Sequence, residues 1–272
     1  MSDKNVLGLG NVQKTLLLPL WGRAIETRKK KPLLIDKMAA SIIQSIPYYF
    51  TTIARNISKL SQASWIARSI YFDHKIKAFI NQYPDATVIN IGCGLDTTFD
   101  RIDNGKLTWF ELDLPDVIEL RKKYIPESDR RKFITASVFD PEWLKEIPDE
   151  KPLMFLFAGV LYYFTEENIK KLFTRFVNEC PAVEILFDYS SSKGIEMANK
   201  MVIKRSGMDE SAKLIWGIED IYEMENWGIG IKVLDSIPMF QYHKKNYPFY
   251  KRVRMSFSDK LKIMSLAHIR IG

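Results

Sequence analysis

The strongest fold signal in this chain is ATVINIGCGLDTTFDRI at residues 86–102, followed by KLTWFELD at residues 106–113. An apolar strand runs directly into Gly92 and Gly94, and the next predicted strand ends at Asp113. Glycine lets the backbone approach a ligand because no Cβ stands in the way. A carboxylate at the end of the second strand can accept both hydroxyl protons of a ribose. The pattern therefore predicts an α/β fold whose first turn holds an adenosine-type cofactor.

Strands and helices alternate around this motif. Strands are predicted at residues 86–92, 106–113, 131–137, 151–159 and 182–190, with helices at residues 114–123, 141–147 and 165–179. Toward the C-terminus, two segments are predicted to be helical, SSKGIEMANKMVIKRS and GIEDIYEMENWG. Two later segments suit an antiparallel strand pair at the sheet edge, GIKVLDSIPMF and MSLAHIRIG. This alternation predicts a doubly wound α/β fold with a mostly parallel, seven-stranded sheet.

The N-terminal part is predicted to be helical, with helices near residues 22–30 and 36–45 and a long amphipathic helix at residues 62–82. We expect a single domain over residues 1–272. Residues 1–62 would form an N-terminal helical lid, residues 63–190 the cofactor-binding core, and residues 191–272 a lid insertion with the C-terminal sheet edge. The lid residues Arg23, Glu26 and Arg28 either face a substrate or form ion pairs on a helix surface.

Composition places the chain among ordinary globular proteins, since 46% of its 272 residues are apolar and 27% are charged. Its two cysteines suggest no disulfide framework, so a cytoplasmic, reducing setting is expected. The longest apolar run, residues 152–164, is too short for a bilayer, which needs about 20 apolar residues. The N-terminus lacks a basic segment followed by an apolar core, so no signal peptide is expected.

The formal net charge of +7 raises the question of an acidic partner. The basic residues are spread along the chain, and their densest clusters, Lys29–Lys31, Arg130–Lys132 and Lys251–Arg254, are short. No basic stripe interleaved with stacking aromatic residues stands out. A solvated surface is the expected explanation, and neither a nucleic acid nor a membrane is expected as a partner.

Two residues of the glycine turn bear on the cofactor. A dinucleotide fingerprint would carry a third glycine where this chain has Thr97. Asp96 places a negative charge beside the turn, which would repel a pyrophosphate but not a cationic sulfonium ligand. A turn that serves topology alone stays open as an alternative.

The string VINIGCGLDTTFDRI followed by WFELDLP resembles the leucine carboxyl methyltransferase family. Three further segments are similar to parts of that family: WGRAIETRKKKPLLIDKMAA at residues 21–40, WIARSIYFDHKI at residues 65–76 and VLYYFTEENIKKLF at residues 160–173. The first of them is similar to the family's bacterial branch of polyketide O-methyltransferases. The resemblance extends over about residues 15–240. It implies a class I methyltransferase fold, S-adenosylmethionine as cofactor and S-adenosylhomocysteine as product.

The resemblance also implies site residues. Arg68 matches the arginine that binds the methionine carboxylate of the cofactor. Asp113 matches the acidic residue that binds the cofactor's ribose. The full set of implied cofactor-binding residues is Arg68, Gly92, Gly94, Asp96, Asp113, Leu114, Ser137, Val138, Ala158, Gly159 and Val160. No metal is implied.

Two of these positions depart from the family pattern. Ser137 stands where an aspartate is expected near the adenine amine, and Asp140 is a candidate replacement. Ala158 stands where family members usually carry a glutamate. The loss of that carboxylate puts the usual contacts to the cofactor's ammonium group in doubt.

Tyr162, Tyr163 and Asp188 follow predicted strand ends, where ligands of open α/β sheets bind, and are the catalytic candidates. Both tyrosines serve equally well as packing aromatics. His74 and His243 are further candidates for a general base.

The favoured function is O-methylation of a hydroxyl or carboxyl oxygen on a small, polyketide-like acceptor. The alternatives are a protein C-terminal carboxyl methyltransferase, a nicotinamide-dependent oxidoreductase, against which Asp96 and Thr97 argue, and a cofactor-binding protein without catalysis. The oligomeric state is left open.

Overall fold

The computed structural model describes residues 16–46, 58–148, 151–180, 182–200 and 213–272. Their centre is a seven-stranded sheet with the order β3-β2-β1-β4-β5-β7-β6. The strands are β1 (Thr87–Ile91), β2 (Thr108–Asp113), β3 (Arg131–Thr135), β4 (Leu153–Phe157), β5 (Val183–Tyr189), β6 (Ile231–Pro238) and β7 (Ser265–Ile271). The first five run parallel, and β7 is antiparallel to both β5 and β6. The predicted fold class and the antiparallel edge pair are therefore confirmed.

Helices cover both faces of this sheet. The described α-helices are α1 (Leu17–Thr27), α2 (Lys37–Ser45), α3 (Lys59–Gln82), α4 (Thr98–Ile102), α5 (Pro115–Lys122), α6 (Glu166–Glu179), α7 (Ser192–Ala198) and α8 (Phe249–Lys260). Short 3-10 helices span Glu142–Glu146, Leu161–Tyr163, Ile221–Trp227 and Lys244–Asn246.

The burial of the strands follows from this double cover. Every residue of β1 and of β4 is buried, because central parallel strands have helices on both sides. On one face, α6 buries Ile169, Leu172, Phe173 and Phe176 at helical spacing. The opposite face is covered by α3, in a cluster that includes Phe72, Ile76, Phe79, Val88, Met154 and Leu186. The sheet therefore separates two apolar layers of the core, and a third, smaller cluster lies around the N-terminal helices α1 and α2.

Several predicted elements differ in detail from the observed ones. The first helix begins earlier, at Leu17, and the predicted helices at 141–147 and within GIEDIYEMENWG are 3-10 helices. The helix predicted for SSKGIEMANKMVIKRS is observed as α7, and residues 201–206 lie outside the described residues. Helix α8 was not predicted. Helix α3 is not simply amphipathic, because it also buries polar residues such as Arg68 and Asp73.

The N-terminal helices are fastened to the core by a buried carboxylate. Asp36 is fully buried at the start of α2, where its side chain accepts a hydrogen bond from the Ala39 backbone. It also accepts bonds from Arg23 Nε at 2.9 Å, Arg101 Nη1 at 2.7 Å and the Thr97 hydroxyl at 2.6 Å. Arg23 is itself buried by this network. An ion-paired role, rather than a substrate-facing one, is therefore the one observed for Arg23.

Candidate functional site

A cavity of about 410 Å³ lies at the carboxyl ends of β1, β2, β4 and β5. This is the edge at which open α/β sheets bind their ligands. Every predicted site residue except Asp96 lines it, namely Arg68, Gly92, Gly94, Asp113, Leu114, Ser137, Val138, Ala158, Gly159, Val160, Tyr162, Tyr163 and Asp188. Residues that are far apart in the sequence thus form one site.

The glycine turn after β1 requires glycine at two positions. Gly92 has φ +65° and Gly94 has φ +49°, in the left-handed region that side chains disfavour. A Cβ on Gly92 would lie 2.5 Å from Cγ2 of Val160, and one on Gly94 would lie 3.1 Å from Cβ of Leu16. The backbone of the turn therefore forms part of the cavity wall at close approach.

The turn is held from below by Arg121 and faces Asp113 at the cavity. Arg121 is fully buried, pairs with Glu111, and donates to the carbonyls of Gly94 at 2.8 Å and Asp96 at 2.7 Å. The Gly94 backbone N–H donates to Asp113 Oδ2 at 2.8 Å. Burial raises the pKa of Asp113, while the N–H groups of Gly94 and Leu114 lower it. A carboxylate so placed keeps acceptor capacity for a ligand hydroxyl.

The structure places Asp96 outside the cavity lining, in contrast to the other predicted residues. Its carboxylate accepts a hydrogen bond from the Thr98 backbone at 2.8 Å. Burial alone would raise the pKa of Asp96, but the guanidinium groups of Arg23 and Arg101 lower it to about 2. Asp96 therefore acts as a permanent charge that organises the turn.

Asp188 joins three parts of the cavity wall. One oxygen accepts the Gly159 backbone N–H at 2.6 Å, and the other accepts Arg68 Nη1 at 2.7 Å and the Tyr162 hydroxyl at 2.8 Å. Burial and the Asp188 carboxylate raise the pKa of Tyr162 well above its ordinary value, so the phenol stays protonated. Asp188 itself is fully buried. With three donors already bound, it is poorly placed to take a proton from a substrate.

The adenine side of the predicted site is formed by the loop after β3. Ser137, Val138 and Phe139 line the cavity there. Asp140 does not line the cavity, and its carboxylate instead accepts the Glu142 backbone N–H at 3.0 Å. The structure therefore leaves Ser137, and not Asp140, as the polar side chain at this wall.

Sequence reasoning missed a second set of lining residues. These residues are mainly apolar. The N-terminal helix and the residue before it contribute Leu16, Leu18 and Pro19, and α3 contributes Ser61, Ser64 and Trp65. The others are Ala198 and Leu214, on either side of residues 201–212, and Met264, just before β7. Ser61, Ser64 and Trp65 could have been found, because they precede Arg68 at helical spacing. The others reach the cavity through long-range packing.

The two candidate histidines lie elsewhere. His74 and His243 line a separate cavity together with Tyr71, Lys75 and Asp235. Burial and the charge of Lys245 lower the pKa of His243. The prediction that either histidine serves as a base at the cofactor site is therefore not supported by the geometry.

Replacing Gly159 by alanine is expected to lower the free energy of unfolding by about 1–2 kcal/mol and to weaken cofactor binding. Gly159 has φ +79°, and a Cβ there would lie 2.8 Å from Nη1 of Arg68. Gly105→Ala is the matched control, because Gly105 has φ +78° but no atom within 4 Å of the added Cβ. Urea unfolding should show a loss for both variants. Equal cofactor affinity in both would contradict the predicted contact with Arg68.

Among the residues that the structure describes, no group of three His, Cys, Asp or Glu side chains is placed to hold a metal ion. Within the same ranges, no helix is long and apolar enough to cross a membrane.

The fold is that of class I S-adenosylmethionine-dependent methyltransferases. Residues 17–177 match the leucine carboxyl methyltransferase family, and the chain belongs to that family. The resemblance drawn from the glycine turn is thereby confirmed.

Two relatives are similar over most of their length. The tetracenomycin polyketide synthesis O-methyltransferase TcmP of Streptomyces glaucescens is 29% identical over 82% of this chain and 82% of its own. The S-adenosyl-L-methionine-dependent methyltransferase dpfgK of Gibberella zeae is 27% identical over 85% of this chain and 83% of its own. A solved S-adenosylmethionine-dependent methyltransferase from Anabaena variabilis shares the fold, with a TM-score of 0.52 at 12% identity, over 94% of this chain and 95% of that one.

Proposed function

We propose that this enzyme transfers a methyl group from S-adenosylmethionine to an oxygen of a small organic acceptor. The proposal rests on a single cavity that has both a polar and an apolar wall. Its polar wall holds Asp113 and Arg68, and its remaining wall is apolar and aromatic, with Leu18, Trp65 and Phe164 among the lining residues. A flat organic acceptor suits such a wall, since ligand pockets combine apolar surface with few polar groups.

The residues present fit the cofactor. Asp113 would accept the ribose hydroxyls, and Ser137 with Val138 would flank the adenine. Arg68 would bind the methionine carboxylate, because Asp188 uses only Nη1 of its guanidinium and further N–H groups remain for a ligand. When bound, the cofactor supplies a methyl group activated by its sulfonium charge. The protein's part is to align the acceptor oxygen and to exclude water.

The cavity favours an acceptor that is already ionised. Asp188 and Tyr162 are bound to each other, and no histidine occurs among the described lining residues. A carboxylate needs no base, whereas a weakly acidic hydroxyl does. Carboxylic acids and acidic phenols are therefore the acceptors to test.

The relatives support a small acceptor, because the name of TcmP places it in polyketide synthesis. Beside the cavity, backbone N–H groups of Ile215 and Trp216 donate to the carbonyl of Tyr162 at 2.6 and 3.0 Å, which holds this segment next to Leu214 in the cavity wall.

Binding measurements test the cofactor part of the proposal. Calorimetric titration should show saturable binding of S-adenosylmethionine and S-adenosylhomocysteine, and none of NAD. Asp113→Ala is expected to weaken binding of both about tenfold, through loss of charge-assisted hydrogen bonds. Asp140→Ala is the matched control, since this acid follows the neighbouring strand β3 but does not line the cavity. An equal effect of both substitutions would contradict the ribose role of Asp113.

Turnover tests the acceptor part. Transfer of a labelled methyl group should be sought with aromatic carboxylic acids, acidic phenols and short peptides. Methylation of a small acid or phenol supports the proposal. Methylation restricted to peptides would favour the protein-modifying alternative, and cofactor binding without any transfer would favour the non-catalytic one.

A further inference from the structure

Helix α8 carries large apolar side chains that point into solvent. Phe249 is 77% exposed, Tyr250 60%, Val253 52% and Phe257 64%. The helix is anchored by only a few buried residues, Met255, Ser258 and Asp259. An exposed cluster of this size marks an interaction site more often than chance exposure of single residues.

The exposed side chains form one face. With about 100° of rotation per residue, Phe249, Tyr250, Val253 and Phe257 fall within an arc of about 100°. The buried anchors of α8 fall within another arc centred about 180° away. The helix therefore has an apolar face directed away from the protein, in addition to the face that holds it in place.

Cations flank this face. With the same rotation per residue, Arg252 and Arg254 fall on either side of it and Lys260 falls within it, whereas Lys251 falls among the buried anchors. Its one acid, Asp259, is buried, accepts the Phe240 backbone N–H at 3.0 Å and lies 3.3 Å from Lys244 Nζ. The helix thus presents positive charge without an exposed carboxylate.

Further cations lie beside the anchored side of α8. Lys251 lines a pocket with Lys29 and Lys59, which belong to the turn after α1 and the start of α3. The acid in that pocket, Glu26, is buried and paired with Lys29. The partner of this surface must accordingly supply negative charge together with an apolar layer.

We propose that the α8 face docks on the surface of an anionic lipid bilayer. A basic helix with exposed aromatic residues is typical of helices that lie in the lipid interface. A second copy of this chain fits less well, because a symmetric contact would oppose the same cations. The proposal is independent of the acceptor and departs from the sequence expectation that Lys251–Arg254 is a solvated surface.

Vesicle flotation tests the proposal directly. The full chain should bind vesicles of phosphatidylcholine mixed with phosphatidylglycerol at least about tenfold more strongly than vesicles of phosphatidylcholine alone. Binding should fall as salt is raised, since surface charge is screened. The Phe249→Ser/Phe257→Ser variant and the Arg252→Glu/Arg254→Glu variant should each lose binding at least about tenfold.

A matched control uses exposed residues elsewhere. Ile35 and Tyr222 are 58% and 53% exposed, so Ile35→Ser/Tyr222→Ser should leave vesicle binding unchanged. All variants should keep wild-type cofactor affinity, because none of these residues lines the cofactor cavity. Equal binding to neutral vesicles, or no loss in the α8 variants, would overturn the proposal. So would a dimer, seen by sedimentation velocity, that the Phe249→Ser/Phe257→Ser variant dissociates, or binding of polyglutamate without binding of vesicles.

Discussion

Asp188→Asn is expected to weaken S-adenosylhomocysteine binding about 100-fold while changing the affinity for 5′-methylthioadenosine little. The second ligand lacks the amino-acid part of the cofactor. Asp188 holds Arg68, the Gly159 backbone and Tyr162 together at the end where that part is predicted to bind. The asparagine NH₂ group would face donors where a carboxylate oxygen accepts them. Calorimetric titration with both ligands measures the difference.

A double-mutant cycle distinguishes a positioning role of Asp188 from a purely structural effect of its substitution. If Asp188 acts through Arg68, Asp188→Asn should add little to the loss already caused by Arg68→Met. The double variant removes both charges of a buried pair and leaves neither uncompensated, so it should fold even if a single variant is unstable. Glu184→Gln is the control on the same strand, since Glu184 pairs with His268 and Arg270 instead. Equal weakening of both ligands would argue against the positioning role.

Arg121→Met is expected to lower the free energy of unfolding by about 3–5 kcal/mol. Arg121 is fully buried, and its removal leaves the buried Glu111 carboxylate without its counter-charge. The carbonyls of Gly94 and Asp96 would lose their donor at the same time. Chemical denaturation provides the measurement.

The comparison for this prediction is a second arginine–carboxylate pair at the surface. Arg130 pairs with Asp103, and its side chain is 36% exposed. Arg130→Met should therefore cost about 1 kcal/mol or less. A similar loss of unfolding free energy in the two variants would show that burial does not determine how much the Arg121–Glu111 pair contributes to stability.

The glycine turn and its acid could be predicted from the sequence because both lie close together along the chain. Strand, turn and strand end follow within residues 86–113, and parallel strands bring their carboxyl ends to one edge. Arg68 was identified through the family resemblance alone. On residue type by itself, an arginine between Ala67 and Ser69 would suit a surface position equally well.

The partners of these residues could not be predicted. Arg68 and Asp188 are 120 positions apart, and no local pattern pairs them. The catalytic candidacy of Asp188 rested on its place after a strand, whereas its three hydrogen bonds depend on tertiary packing. The same holds for Asp36, whose partners come from α1, from Thr97 and from α4.

Helix α8 was missed for a different reason. Its apolar residues point both inward, at Met255, and outward, at Phe249, Val253 and Phe257. Two opposed apolar faces do not give the single stripe that identifies an amphipathic helix in sequence. The basic cluster within it therefore looked like ordinary surface charge.

Asp36 also limits how this enzyme can be rebuilt. Exchanging N-terminal helices between relatives is an obvious way to alter acceptor choice, because Leu18 and Pro19 lie on the cavity wall. The exchanged segment, however, would carry the Asp36 carboxylate, which accepts hydrogen bonds from two core side chains, Thr97 and Arg101. A chimera must therefore transfer helices α1 and α2 together with matching residues in the glycine turn and α4, or the new helices will disturb the turn to which they are hydrogen-bonded.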